Sequence, residues 1–190
     1  MTHTTEITTD HGSAQQAVAR AAAIGAAVAV ALGVYGNVHD GTGDTVTTFW
    51  FPNLLSMKAW FATVAAVLGL GQLTSALWMY GRLPRVGSAP SQLGAIHRWL
   101  GTVAFVFTLP VAYHCLWSLG FKSSDTRVLV HSVLGCAFYG AFTTKMLVLR
   151  SERMPAWALP IAGGVLVAVL TGIWLVTSLW YFTNVGFPGV

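Results

Sequence analysis

Residues 97–149 decide the fold. They read HRWLGTVAFVFTLPVAYHCLWSL (97–119), a polar interruption GFKSSDTR (120–127), then VLVHSVLGCAFYGAFTTKMLVL (128–149). Each flank reaches the roughly 20 apolar residues that carry a helix across the hydrocarbon of a bilayer. So short an interruption turns the chain straight back, which makes the two segments antiparallel spanning helices. Three similar runs lie outside this stretch: Ala17 to Gly36, Met57 to Tyr80 and Trp157 to Phe182. The expected fold is an all-α integral membrane protein, an up-down bundle of five transmembrane helices at about 17–36, 57–80, 97–119, 128–149 and 157–182. It forms a single transmembrane domain over 1–190, with residues 1–15 as a flexible cytoplasmic tail. The last helix is long enough to tilt or project.

Composition agrees. The chain is 55% apolar and only 8% charged, with a mean hydropathy of +0.65, whereas soluble domains carry about 25% charged residues. The net charge of +4 does not indicate nucleic acid, because the basic residues gather in short segments between apolar runs. Cys115 and Cys136 both fall inside apolar runs, which argues against a disulfide framework or a zinc ribbon.

The basic residues also set the orientation. Arg82, Arg85 and Arg98 border the second connection, and Lys145, Arg150 and Arg153 the fourth. The first connection carries Asp40 and Asp44, with no basic residue before Lys58, and the third sets Lys122 and Arg127 against Asp125. The positive-inside bias puts connections two and four in the cytoplasm, the N-terminus inside and the C-terminus outside, in a multi-pass protein of the cell's inner (plasma) membrane. The first helix carries Ala21, Gly25, Ala29 and Gly33 along one face. Such a stripe serves close packing, either inside the bundle or between two copies.

Histidines carry the functional signal. His3 and His11 lie in the polar tail and read as solvated residues, and His39 belongs to the first connection. His114, near the outer end of the third helix, and His131, near the outer start of the fourth, both fall within roughly 10 Å of the outer boundary at 1.5 Å per residue. Ionisable groups at membrane depth are costly and mark functional sites. Two imidazoles at one depth on consecutive antiparallel helices can clamp a haem iron. They could also form a structural or proton-handling pair, or bind another metal such as copper, since Cys115 adjoins His114. Gly135, four residues after His131, leaves room for a flat macrocycle; Arg127, four before it, could pair with propionates. Pro110 can bend the third helix around a bulky guest, beside aromatic surface from Tyr113, Trp117, Phe138 and Tyr139.

His97 opens the third helix in His97-Arg98-Trp99-Leu100-Gly101, and His131 opens the fourth in His131-Ser132-Val133-Leu134-Gly135. Both read H-x-x-L-G. Antiparallel running puts His97 at the inner face, about 25 Å from His114. No second histidine shares that depth; Lys145 and Met146 are the nearest candidates, so one haem is expected and a second at His97 is not. His97, Arg98 and Lys145 could instead form an inner polar cluster for a quinone or a proton route, or an interfacial cap of snorkelling side chains.

On the segments His97–Gly101, Leu109–His114, Arg127–Ser132, Gly135–Gly140 and Lys145, the chain resembles the small membrane b-type cytochromes of the cytochrome b561-like group. It looks still more like an uncharacterised family of actinobacterial five-helix membrane proteins. The resemblance covers about a third of the chain; the other three helices match in hydropathy only. It implies axial ligation by His114 and His131 and electron transfer in or at the edge of the membrane. The two-haem members use four core histidines, two at each face, and this chain has only His97 at the inner face.

The function expected from the sequence is that of a membrane-anchored b-type cytochrome, an electron-transfer subunit rather than a stand-alone catalyst. One haem b near the outer face would be held by His114 and His131, with Arg127, Gly135, His97 and Lys145 as further candidate cofactor residues. Expected partners are membrane lipid, a redox protein at the outer face or a larger respiratory complex, and a quinone; nucleic acid is not expected. The acidic, aromatic first connection could cover the haem edge or dock the redox partner. The rivals are a haem-free accessory subunit of a larger membrane complex and a copper-handling membrane protein.

Overall fold

The computed structural model describes residues 3–152 and 154–187, with side chains from Gly12 onward. Among them the regular structure is entirely helical: α1 (His3–Val38), α2 (Leu54–Met79), α3 (Leu93–Tyr113), α4 (Thr126–Arg150), α5 (Ala158–Trp174) and the short α6 (Trp180–Asn184). Two π-helical segments intervene, π1 (His114–Leu119) continuing α3 and π2 (Leu175–Leu179) joining α5 to α6. Five stretches are long and apolar enough to cross a membrane: Gly12–Val38, Leu54–Met79, Leu93–Leu119, Thr126–Arg150 and Ala158–Asn184. The protein is a multi-pass membrane protein, a bundle of five spanning helices. Boundaries depart from the expected ones by a few residues, except at the N-terminus. There the helix begins at His3, so the backbone is helical through most of the stretch expected to be a tail. Arg153, one of the basic residues used to orient the chain, and the side chains of His3 and His11 lie outside the described residues.

Local sequence explains several ends. Asn53 accepts the Ser56 backbone N–H at 2.8 Å and starts α2. Asp125 accepts that of Val128 at 2.9 Å and starts α4, as N-caps do for otherwise orphaned donors. Asp125 is therefore engaged as a cap. At the far end of π1, Gly120 (φ 71°) turns the chain under the end of α1, where a Cβ would lie 3.0 Å from the Gly36 carbonyl oxygen. The carbonyls that π1 cannot use internally accept hydrogen bonds from the first connection. Thr42 N–H donates to Trp117 O at 3.3 Å, Gly43 N–H to Ser118 O at 2.9 Å, and His39 Nε2 to Trp117 O at 3.1 Å.

Packing differs from chain order. α1 and α5 lie along α4, α2 lies along α3, and α5 also meets α2, while the consecutive helices α3 and α4 scarcely approach each other. Side chains bridge that gap at mid-depth. Phe105 stacks on Phe142 with centroids 4.1 Å apart, and the Tyr139 hydroxyl donates to Thr108. The small-residue stripe of α1 is used inside the bundle. A Cβ on Gly25 would collide with Thr144 and the Gly140 carbonyl, and one on Gly140 would lie 2.9 Å from the Ala29 Cβ. These contacts follow the in-bundle alternative for the stripe.

Candidate functional site

Where α3 and α4 part, toward the π1 end, a cavity of about 360 Å³ opens. That lies within the size range of small-molecule and cofactor sites, about 300–1,000 Å³. Its walls come from every spanning helix: Leu32 of α1, Lys58, Ala59 and Ala62 of α2, Thr108 and Cys115 of α3 and π1, Arg127, His131, Gly135 and Tyr139 of α4, and Leu170, Ile173 and Thr177 of α5 and π2. The lining is mostly apolar, with three cations, Lys58, Lys122 and Arg127. Gly135 faces open space, since a Cβ there would meet nothing within 4 Å.

His131 lines this cavity. Its Nε2 sits 3.7 Å from Cys115 Sγ, and its Nδ1 is buried without a hydrogen-bond partner. Lys58 lines the same cavity, so α2, π1 and α4 each send one polar side chain to its wall. His114 is 1% exposed. Its Nδ1 lies 2.8 Å from the Pro110 carbonyl, and because a carbonyl only accepts, Nδ1 carries the proton. Nε2 is then bare, and it too is buried and unpartnered. That tautomer is the one used by metal-ligating histidines. Yet His114 is not among the residues that line the cavity; its neighbour Cys115 is. The structure thus brings His131, Arg127 and Gly135 together, sets His114 beside them, and adds Lys58, Lys122 and Cys115.

Arg127 is already engaged. Its guanidinium lies 4.0 Å from the Trp180 ring centroid and donates to Val176 O at 3.2 Å, a carbonyl of π2. Both π segments flank the cavity, consistent with the placement of π-bulges at functional sites.

His97 and Lys145 belong to a second, separate cluster. Ser75 Oγ and His97 Nδ1 are 2.8 Å apart, the Gln72 amide donates to the His97 carbonyl, and Lys145 Nζ donates to Gln72 Oε1 at 3.4 Å. Gln72 and Ser75 are buried. A Cβ on Gly101 would meet the Gln72 side chain at 3.0 Å, so the glycine of the first H-x-x-L-G makes room for that amide. Arg98 is exposed and takes no part in these hydrogen bonds. His39 stacks between Tyr35 and Trp117, with centroids 5.1 and 4.7 Å away, which secures the first connection to π1.

Lys58 and Lys122 were not singled out from sequence as site residues. Lys58 sits one turn into a spanning helix, and that placement is itself a signal of function. Among the described residues no group of three or more His, Cys, Asp or Glu side chains is arranged to hold a metal ion. No curated protein and no solved structure matches the chain. A family model covers residues 18–189, nearly the whole bundle, and the chain belongs to that family, DUF6529, a family of unknown function.

Proposed function

We propose that this protein is a membrane b-type cytochrome that carries one haem in the cavity between α3 and α4. The observation that carries the reading is the gap itself. Two helices joined by a short turn stand apart around an apolar space with a histidine on its wall, a glycine opening it and three cations lining it. In an ordinary bundle such neighbours would close to 8–10 Å between axes (a general figure). His131 holds the iron from α4, and the second ligand comes from the turn of π1 that carries both His114 and Cys115. Lys58, Lys122 and Arg127 neutralise the propionates.

The haem supplies one-electron chemistry. The chain's own part is to bind and orient it, to exclude water with apolar walls from all five spanning helices, and to set the local charge. In the orientation read from the basic residues, the site lies under the outer leaflet of the plasma membrane. Electrons then pass between a redox protein at the outer face, or a larger respiratory complex, and a carrier within the bilayer. The His97–Ser75–Gln72–Lys145 cluster, its space filled by the Gln72 side chain, is the place for a proton rather than for a quinone head group.

The test is a reduced-minus-oxidised visible spectrum of the purified protein, with elemental analysis for iron and copper. Stoichiometric iron with a b-type α-band supports the reading. Haem-free protein would point instead to an accessory subunit, and copper in place of iron to metal handling.

A further inference from the structure

π1 offers two donors to the cavity side, His114 and Cys115, and consecutive helical residues point about 100° apart. Only one of them can face α4. Cys115 lines the cavity, with its sulfur 3.7 Å from His131 Nε2. His114 does not line the cavity.

We infer that the π1 ligand to the iron is Cys115, as thiolate, together with His131. This rests on the haem reading and specifies its ligand set. The Cys115 and His131 donor atoms already lie 3.7 Å apart, so the two side chains could hold one metal centre together. On ligation the S–H bond would break, its electron pair staying on sulfur to hold the iron and its proton passing to bulk water; the iron keeps its oxidation state.

The experiment uses full-length, haem-loaded protein in detergent, with ferric and CO-bound ferrous spectra for the wild type, Cys115→Ser, Cys136→Ser and His114→Ala. The expected result is a thiolate-type Soret band, strongly red-shifted in the CO complex. Cys115→Ser abolishes it, and Cys136→Ser and His114→Ala keep it. An independent readout is alkylation of Cys115 by a small maleimide in the Cys136→Ser background. Loading with haem should slow it at least tenfold, and this measurement stands even if Cys115→Ser fails to fold. A bis-imidazole spectrum in the wild type, or a thiol equally reactive with and without haem, overturns the assignment while leaving the cytochrome intact. Wild-type protein that takes up no haem overturns both.

Discussion

The chain uses H-x-x-L-G twice, and the two copies meet opposite fates. At His97 the space beside Gly101 is filled by the protein's own Gln72 amide, which also bonds the His97 carbonyl, while the imidazole bonds Ser75. At His131 the space beside Gly135 is left open, and among the described residues the ring Nδ1 has no hydrogen-bond partner. The same five-residue pattern therefore makes a closed, self-satisfied junction in one place and a vacant wall in the other. A histidine with a glycine one turn later says only that space exists. What fills the space depends on the helix opposite: polar Gln72 and Ser75 face the first copy, and the apolar cavity faces the second.

That contrast can be broken in graded steps. The largest expected effect is at the ligand: His131→Ala should remove the haem α-band completely, whereas His97→Ala should leave haem content per protein unchanged in pyridine haemochrome assays. Next come the glycines. Gly135→Leu puts a side chain into the cavity and should cut haem occupancy at least tenfold with little change in the apoprotein's thermal midpoint. Gly101→Ala should do the reverse, keeping haem but displacing Gln72 at a stability cost of about 1–3 kcal/mol, the usual range for overpacking. Resistance to SDS unfolding reads the second effect. Equal loss of haem in both glycine variants would erase the distinction between the two copies.

Smaller effects belong to the polar partners. Gln72→Leu removes the acceptor for Lys145 and the donor to His97 and should cost about 1 kcal/mol, typical of interhelical hydrogen bonds in membranes, without altering the visible spectrum. A large spectral change there would mean that the inner cluster also touches the haem. The smallest is His39→Ala, which loosens the first connection from Trp117 and should leave the haem band in place.

Much of this was legible in the residues. Hydropathy marked five spans within a few positions, since a bilayer leaves a spanning chain little choice but an unbroken apolar helix. His131, Arg127 and Gly135 were found by their i, i+4 spacing, which puts them on one face of α4 whatever surrounds it. The same reasoning was weaker on α3. Pro110 and the π turn at His114–Leu119 break the regular angular count there, so depth alone selected His114 as the expected ligand, whereas Cys115 is the residue that lines the cavity. Lys58 was passed over because it lies far along the chain from either histidine, and only packing brings it to the cavity wall. The small-residue stripe of α1 was visible, but its target was not; Gly140 and Thr144 of α4 occupy it.

The order of amino acids was enough to specify helices, their number, their antiparallel course and the faces that carry polar groups, because those follow from short-range geometry and the absence of water in the bilayer. It could not specify that α3 and α4, neighbours along the chain, would stand apart while α1 took its place along α4. That outcome depends on which apolar faces fit which, a competition among all five spans at once. The cavity, and the meeting of Lys58, Cys115 and His131 within it, exist only as its result.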